Sequence, residues 1–170
     1  MANVISPGVD ARAAELGFAV RQAAPADAPE LLLLMRDLFC EDAWSEVTLL
    51  RSLVFGTVPG SPHTYRVLLD GSGRVCGFGG VRTDGGGRAV ILTVGVRRDT
   101  WGTGAGSFLL GLLLSTAERA GCDRVTLNVR TDNHRAQSLY RRHGFQAVRV
   151  NEGFYTASRN DSLLMERRTG

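Results

Sequence analysis

The feature that most constrains the fold of this chain is a run of three β-patterned segments joined by two glycine-rich turns. The segments are Tyr65–Leu69, Arg74–Thr83 and Arg88–Val96. The turns read Asp70-Gly71-Ser72-Gly73 and Asp84-Gly85-Gly86-Gly87. Glycine adopts the positive φ angles that tight reversals need, so each turn can send the next segment back along the previous one. The pattern therefore predicts an antiparallel meander of three strands.

Helical and strand patterns alternate on both sides of this meander. Before it, the sequence predicts a strand and two helices, the second capped by Ser45: Phe18–Gln22, Ala26–Phe39 and Glu46–Phe55. After it come a helix, a strand, a helix and two strands: Ser107–Ala120, Arg124–Arg130, Asn133–Arg142, Gln146–Asn151 and Ser162–Arg167. The predicted order is β-α-α-β-β-β-α-β-α-β-β, which places the chain in the α/β class.

The length of 170 residues is that of one domain, which we assign to residues 18–170. Residues 1–17 are predicted to be a flexible leader, because Pro7 and Gly8 interrupt them and no periodic pattern is sustained. The leader also lacks the charged start and apolar run of a signal peptide.

Composition excludes several classes of protein. The longest apolar stretches, Leu31–Met35 and Phe108–Leu114, are too short to span a bilayer. An odd number of widely spaced cysteines argues against a disulfide framework and a metal site: Cys40, Cys76 and Cys122. The basic residues are dispersed, without a stripe of stacking aromatic residues, which disfavours nucleic-acid binding. We therefore expect a cytoplasmic protein that binds no membrane, nucleic acid or metal.

A glycine-rich loop lies between the third strand of the meander and the apolar helix that follows. Its residues are Trp101, Gly102, Thr103, Gly104, Ala105, Gly106 and Ser107. Small side chains expose backbone N–H groups, and the start of the helix adds the positive end of its dipole. The loop thus predicts a binding site for a pyrophosphate. The alternative interpretation, a glycine-rich connection that binds no ligand, stays open. It is neither a Rossmann fingerprint, since Ser107 stands where the third glycine would be, nor a Walker loop, which needs Gly-Lys.

A second motif turns these observations into a family resemblance. Asn133-His134-Arg135-Ala136-Gln137-Ser138-Leu139-Tyr140-Arg141-Arg142-His143-Gly144-Phe145 is similar to the N-x-x-A-x-x-L-Y-x-x-x-G-F motif of the GNAT acetyltransferases. Val94-Gly95-Val96 and the glycine loop resemble that family's acetyl-CoA segment, with Trp101 where Arg or Gln is commoner. The resemblance covers roughly residues 18–167. It implies the GNAT fold, a mostly antiparallel central sheet flanked by helices, and acetyl-CoA as cosubstrate.

The resemblance also implies roles for single residues. The backbone of Val94, Gly95 and Val96 would hold the pantetheine arm, and the amides of residues 102–107 would bind the pyrophosphate. Asn133 would hydrogen-bond the pantetheine, and Tyr140 would be the general acid. From the residues alone, Asn133 could equally be a helix N-cap and Tyr140 a core aromatic.

Shorter similarities point to the branch that acetylates protein N-termini, including the ribosomal-protein alanine N-acetyltransferases. They are Ala43-Trp44-Ser45-Glu46 and Gly153-Phe154-Tyr155, and they imply that Trp44 and Tyr155 border the acceptor. That branch usually carries Leu-Glu-Val-Arg, with Glu as base, where this chain has Leu127-Asn128-Val129-Arg130. Asn128 cannot accept a proton as a base, but it can hold a water molecule, and it remains a candidate residue on the acceptor side. Other candidates for the base, by residue type, are Glu41, Asp42, His63, Asp84 and Glu152.

Three functions stay open on this reasoning. The first is acetylation of a protein or peptide N-terminus, the second acetylation of a small amine such as an antibiotic, polyamine or amino acid, and the third non-catalytic acetyl-CoA binding. An α-amine is about one-tenth neutral at pH 7, whereas a Lys amine is neutral in about one molecule in 2,500, so a site with a weak base favours α-amines or other amines of low pKa. A monomer and a homodimer are both compatible with the sequence.

Overall fold

The computed structural model describes residues 7–169. The helices are α1 (Pro7–Glu15), α2 (Ala28–Phe39), α3 (Glu46–Thr57), α4 (Ala105–Arg119) and α5 (His134–Arg142). The strands are β1 (Ala19–Gln22), β2 (His63–Leu69), β3 (Val75–Thr83), β4 (Arg88–Val96), β5 (Arg124–Arg130), β6 (Gln146–Tyr155) and β7 (Asn160–Arg168). The predicted order of elements is confirmed, with one further helix ahead of it.

All seven strands form one sheet, in the order β1-β2-β3-β4-β5-β7-β6. The meander β2-β3-β4 is antiparallel, as predicted, and among the described strands only β4 and β5 form a parallel pair. The expected α/β class, with a mixed and mostly antiparallel sheet between helices, is confirmed. Within residues 7–169, no helix is long and apolar enough to cross a bilayer.

Helices cover both faces of the sheet. On one face, α2 and α3 bury leucines such as Leu31 and Leu53 against Tyr65 and Phe78. On the other face, the apolar stripe of α4 packs on the central strands, and α5 packs beside it through Tyr140. Ser45 caps α3 as predicted, since its Oγ accepts a hydrogen bond from the Thr48 N–H at 3.2 Å.

The sequence did not predict a helix in the leader, but Pro7–Glu15 form α1. Ala13 of this helix is completely buried and packs in a cluster with Val20 and Leu68. Only Val9 and Ala13 contribute apolar contacts from α1, too few to produce the periodicity on which the sequence argument relied. Residues 1–6 of the predicted leader lie outside the described residues.

Two predicted boundaries also shift. Helix α4 begins at Ala105 rather than Ser107, because Gly104 takes φ +90° and serves as the N-cap. The last hairpin is longer than predicted, for β6 continues to Tyr155 and β7 begins at Asn160. Both shifts bring residues of the predicted site onto regular elements.

Candidate active site

A cleft opens where β4 and β5 separate. The two strands pair only over Arg88–Val90 and Arg124–Thr126, and their carboxyl-terminal halves diverge. The register between β3 and β4 shifts at this point, with Gly80 opposite Thr93 but Val81 opposite Ile91. This bulge bends β4 away from β5. The sheet therefore has an internal gap near its centre.

The end of β4 turns unpaired backbone groups toward this gap. The Arg97 N–H donates to the Cys76 oxygen at 2.7 Å, which fixes the alternation of the antiparallel ladder with β3. By that alternation, Val94 and Val96 direct their N–H and C=O groups away from β3. In agreement, the Trp101 indole N–H donates to the Val96 oxygen at 3.0 Å. An extended ligand with amide groups can add to Val94 as a strand adds to an open edge.

Gly95 lies between these two valines because α2 crosses β4 closely at this position. A Cβ atom on Gly95 would come within 2.7 Å of the Leu38 Cδ1 and 3.2 Å of the Phe39 ring. The absence of a side chain therefore lets α2 form one wall of the gap.

The gap comprises two adjoining clefts. The large cleft, of about 750 Å³, runs from the end of β4 along the glycine loop to α5. Nearly all the residues predicted to bind the cosubstrate line it: Val94, Gly95, Val96, Trp101, Gly102, Gly104, Ala105, Gly106, Ser107 and Asn133. Thr103 does not, since its hydroxyl donates to the Thr100 oxygen at 2.6 Å. The small cleft, of about 400 Å³, lies between α2, β5 and the β6–β7 hairpin.

The glycine loop presents several backbone donors to the large cleft. Gly102 and Gly104 adopt φ angles of +81° and +90°, which a side chain would disfavour. Within residues 7–169, the N–H groups of Gly102, Gly104, Gly106 and Ser107 donate to no backbone oxygen. The first hydrogen bond of α4 runs from the Phe108 N–H to the Gly104 oxygen. Open amides at a helix N-terminus attract an anion such as a pyrophosphate.

Trp101 fixes the loop to its neighbours. Its indole N–H is hydrogen-bonded to β4. Two guanidinium groups also lie over its ring, that of Arg98 at 5.2 Å and that of Arg135 at 4.1 Å from the ring centre. The tryptophan thus links β4 and α5 across the mouth of the large cleft.

Tyr140 lies where the two clefts meet and lines both of them. It is 7% exposed, and its ring meets Phe145 edge-on at 5.9 Å. Its hydroxyl forms no hydrogen bond with the described residues. Burial raises the pKa of Tyr140 well above its usual value, and Tyr155 nearby adds to the effect. The phenol therefore stays protonated and can act as a proton donor.

Asn133 both caps a helix and lines the clefts. Its Oδ1 accepts a hydrogen bond from the Ala136 N–H at 3.1 Å, so it is the N-cap of α5. The side-chain amide nitrogen has no partner among residues 7–169 and can donate to a ligand.

The residues predicted to border the acceptor line the small cleft. Trp44 also packs edge-on against Tyr65 and Phe78, with ring centres 6.2 and 6.3 Å away. Tyr155 donates to the Asn128 backbone oxygen at 3.4 Å. Its burial, assisted by Asp42, raises the pKa of Tyr155 to about 12.

The Asn128 side chain has its oxygen occupied. Its Oδ1 accepts from the Ser162 hydroxyl at 2.9 Å and from the Asn151 amide at 3.2 Å. Its amide nitrogen has no partner among the described residues. Asn128 can therefore donate a hydrogen bond into the small cleft, but it cannot accept a proton there.

Asp42 lines the small cleft, unlike the other four candidate bases. Its side chain is 5% exposed and pairs with the Arg130 guanidinium at 3.2 Å. It also accepts from the N–H and hydroxyl of Ser158, at 3.2 and 2.7 Å. Sequence reasoning missed Ser158 and Arg130 as partners of Asp42, because no local pattern links residues 116 and 88 positions apart.

The remaining candidate bases lie elsewhere. Asp84 accepts the Gly86 and Arg88 N–H groups and closes the β3–β4 turn. His63 stacks near Phe55 and Tyr65, with ring centres 6.3 and 6.2 Å away. Glu41 and Glu152 are exposed and line neither cleft. Within residues 7–169, no group of three His, Cys, Asp or Glu side chains could hold a metal ion.

Comparison with known proteins agrees with this architecture. Residues 32–145 match the model of a family described as the acetyltransferase (GNAT) family. The chain is 35% identical over 149 residues to the N-alpha-acetyltransferase RimI of Mycobacterium tuberculosis, covering 85% of this chain and 89% of that protein.

Two solved structures share the fold. Ard1 from Thermoplasma volcanium superposes with a TM-score of 0.78 at 23% identity, over 91% of this chain and 99% of that one. The ribosomal-protein-S18-alanine N-acetyltransferase from Escherichia coli gives a TM-score of 0.73 at 22% identity, over 89% of this chain and 93% of that one. The predicted resemblance to this branch is confirmed.

Proposed function

This chain belongs to the GNAT acetyltransferase family, and on that basis we propose that it transfers acetyl from acetyl-CoA to the α-amine of a protein or peptide N-terminus. The observation that carries the proposal is the Tyr140 phenol at the junction of two clefts, without a hydrogen-bond partner among residues 7–169. One cleft offers open backbone amides and the other offers charged and amide side chains. Such an arrangement suits two substrates that enter from opposite sides and react beside one proton donor.

The cosubstrate would occupy the large cleft. The open N–H groups of the glycine loop would bind its pyrophosphate, and the outward-facing backbone of Val94 and Val96 would bind its pantetheine amides. Asn133 would donate to the same arm. A backbone N–H of β4 would polarise the thioester carbonyl as negative charge develops on its oxygen.

The reaction would proceed by direct attack. The neutral amine forms the C–N bond at the thioester carbon, the C–S bond breaks, and the departing thiolate takes the proton of Tyr140. Burial opposes phenolate formation, but the same dry surroundings penalise the thiolate, so the transfer stays close in energy. The proton that the amine loses restores the phenol through solvent.

The small cleft suits a cationic acceptor of low pKa. Arg130 lies between Asp42 and Asp132, with contacts of 3.2 and 2.7 Å, so this trio carries one net negative charge. A peptide N-terminus is attracted as the ammonium ion and loses its proton more easily than a Lys side chain. This matches a site in which Asn128 cannot act as a base. The similarity to the mycobacterial N-alpha-acetyltransferase supports the same acceptor.

Acceptor profiling with labelled acetyl-CoA tests the proposal. The panel contains peptides with a free N-terminus, the same peptides with a blocked N-terminus and one Lys, and a set of polyamines, amino acids and aminoglycosides. We expect label in the first group at least a hundredfold above the second. Preferential labelling of the small amines would instead support a small-molecule acetyltransferase. Saturable acetyl-CoA binding without turnover of any acceptor would support a non-catalytic module.

A further inference from the structure

Two arginines of α5 face the large cleft without a carboxylate partner. Arg135 and Arg142 both line the cleft, as does Ser138 between them. They are spaced seven residues apart, which places them on one face of the helix two turns from each other. Neither forms an ion pair with a carboxylate of residues 7–169. This face of α5 therefore brings two uncompensated positive charges to the cleft.

The arrangement around Trp101 shows that Arg135 differs from its neighbour Arg98. Both guanidinium groups lie over the same indole ring. Arg98 is also paired with Asp37, donating to its carboxylate at 3.1 Å and to its backbone oxygen at 2.8 Å. The Arg135 guanidinium lies 4.1 Å from the ring centre and forms no hydrogen bond or ion pair with the side chains or backbone of residues 7–169. Contact with a ring face orients a guanidinium while leaving its in-plane N–H donors available.

Arg141 marks the limit of this surface. It follows Tyr140 on α5 but does not line the cleft, and its Nη2 donates to the Gln137 Oε1 at 3.2 Å. The helical period thus places Arg135 and Arg142 at the cleft and turns Arg141 away from it.

Two guanidinium groups match the charge of a dianionic phosphate better than that of the singly charged phosphates of a pyrophosphate. The loop amides are already available to bind the pyrophosphate. Coenzyme A carries one dianionic phosphate, the phosphate monoester on the 3′ position of its adenosine ribose. We propose that Arg135 and Arg142 form a subsite for this 3′-phosphate, with Trp101 holding Arg135 in position. The inference rests on the proposed use of acetyl-CoA, and it adds a basis for selecting the phosphorylated coenzyme.

Calorimetric binding of two ligands tests the subsite. Coenzyme A and 3′-dephospho-coenzyme A are each titrated into the wild type, Arg135→Ala, Arg142→Ala, the double variant and Arg141→Ala. We expect the wild type to bind coenzyme A about tenfold more tightly, the scale of partly exposed charge-assisted contacts. The double variant should bind both ligands equally, with its affinity for the dephospho form unchanged. Arg141→Ala, which removes the same charge from the same helix, should keep the preference.

Ionic strength gives a second measure. Because both arginines are exposed, the preference for coenzyme A over its dephospho form should shrink as the salt concentration rises from about 0.05 to 0.5 M.

Equal wild-type affinity for both ligands would overturn the subsite and leave the proposed function intact. Equal losses for both ligands in the double variant would also overturn it, since the arginines would then serve the pyrophosphate or the fold. Failure of the wild type to bind either ligand would contradict acetyl-CoA binding itself. Thermal unfolding of each variant checks that it is folded.

Discussion

The large and small clefts are built in different ways. The large cleft is made from one continuous stretch, the end of β4 and the glycine loop, together with α5, and its donors are mostly backbone N–H groups. The small cleft is made from side chains that lie far apart in the sequence, such as Asp42, Asn128 and Ser158. The first is therefore encoded by the glycines that shape the backbone, and the second by individual side chains.

This difference has a consequence for specificity. A backbone donor is kept by almost any substitution that preserves the turn, so we expect the large cleft to tolerate substitution without losing its ligand. Each side chain of the small cleft can change while the sheet stays intact, as Asn128 in place of the usual Glu illustrates. Substitutions in the two clefts should therefore have separable effects, on coenzyme binding in one and on acceptor use in the other.

Tyr140 lies between the clefts and should show the largest effect. Tyr140→Phe removes the proton donor and keeps the ring that packs against Phe145, so we expect kcat to fall about a thousandfold. The dissociation constants of coenzyme A and of the acceptor peptide should change less than twofold. Steady-state kinetics measures kcat, and calorimetry measures the two dissociation constants. Activity within threefold of the wild type would show that the thiolate is protonated by another group.

The pH profile tests whether the small cleft contains a base. With an α-amine of pKa near 8 and no carboxylate base, kcat/KM should rise roughly a hundredfold from pH 6 to pH 9. Burial raises the pKa of Tyr140, so the phenol remains protonated and the rate should not fall up to pH 10. A plateau that begins near pH 6 would indicate a base that the structure does not reveal, and a fall above pH 9 would contradict a buried acid.

The two clefts also differed in how far the sequence could predict them. The glycine loop and the Asn133–Phe145 motif are local, and the residues they indicated line the large cleft, except that Thr103 turns to the Thr100 oxygen. The order of strands and helices was predictable for the same reason, since each element carries its own periodicity.

The rest depends on contacts that no local pattern records. Helix α1 was missed because only one buried alanine and one partly buried valine anchor it. Among the candidate bases, four acids and one histidine, residue type could not single out Asp42, whose position depends on Arg130 and Ser158. The pairing of Arg98 with Asp37, which distinguishes it from Arg135 on the same indole ring, spans 61 residues. Such pairings follow from the packing of elements and not from the elements themselves.

Gly104→Ala should weaken the large cleft alone. At φ +90° a side chain costs about 1–2 kcal/mol, and relief of this strain would turn the loop amides away, so we expect acetyl-CoA affinity to fall about tenfold. Gly121→Ala is the matched control, because Gly121 has φ +78° just beyond the other end of α4. It should lose similar stability and keep its affinity. Equal affinity losses in both variants would mean that general destabilisation, and not the loop, is measured.

Asp42→Asn should affect the small cleft alone. The change keeps the shape of the side chain but removes its negative charge. The ion pair with Arg130 is lost and the hydrogen bond from the Ser158 hydroxyl is weakened, and each such contact contributes about 1 kcal/mol. We expect KM for the acceptor peptide to rise about fivefold, with the affinity for acetyl-CoA unchanged. Ser158→Ala should give a smaller change in the same direction. A loss of acetyl-CoA affinity in either variant would show that the clefts are coupled.

Asn128→Asp should produce the smallest and most informative change. The Ser162 and Asn151 donors that now serve the Asn128 oxygen would hold one carboxylate oxygen, and the other would replace the amide nitrogen facing the small cleft. A base would then be present where the sequence lacks one. We expect kcat/KM to rise about threefold at pH 6.5, where most of the amine is protonated, and to stay constant at pH 9.

The control for this change is Asn151→Asp, which adds the same charge to the same network but does not line the cleft. It should leave the low-pH rate unaltered. An equal rise of kcat/KM in both variants would mean that the added negative charge only attracts the cationic peptide. In that case KM would fall and kcat would stay unchanged. If the rate rises only in Asn128→Asp, and the rise is in kcat, the side chain at position 128 decides how the acceptor amine loses its proton. A carboxylate there accepts the proton, whereas Asn128 leaves that step to water.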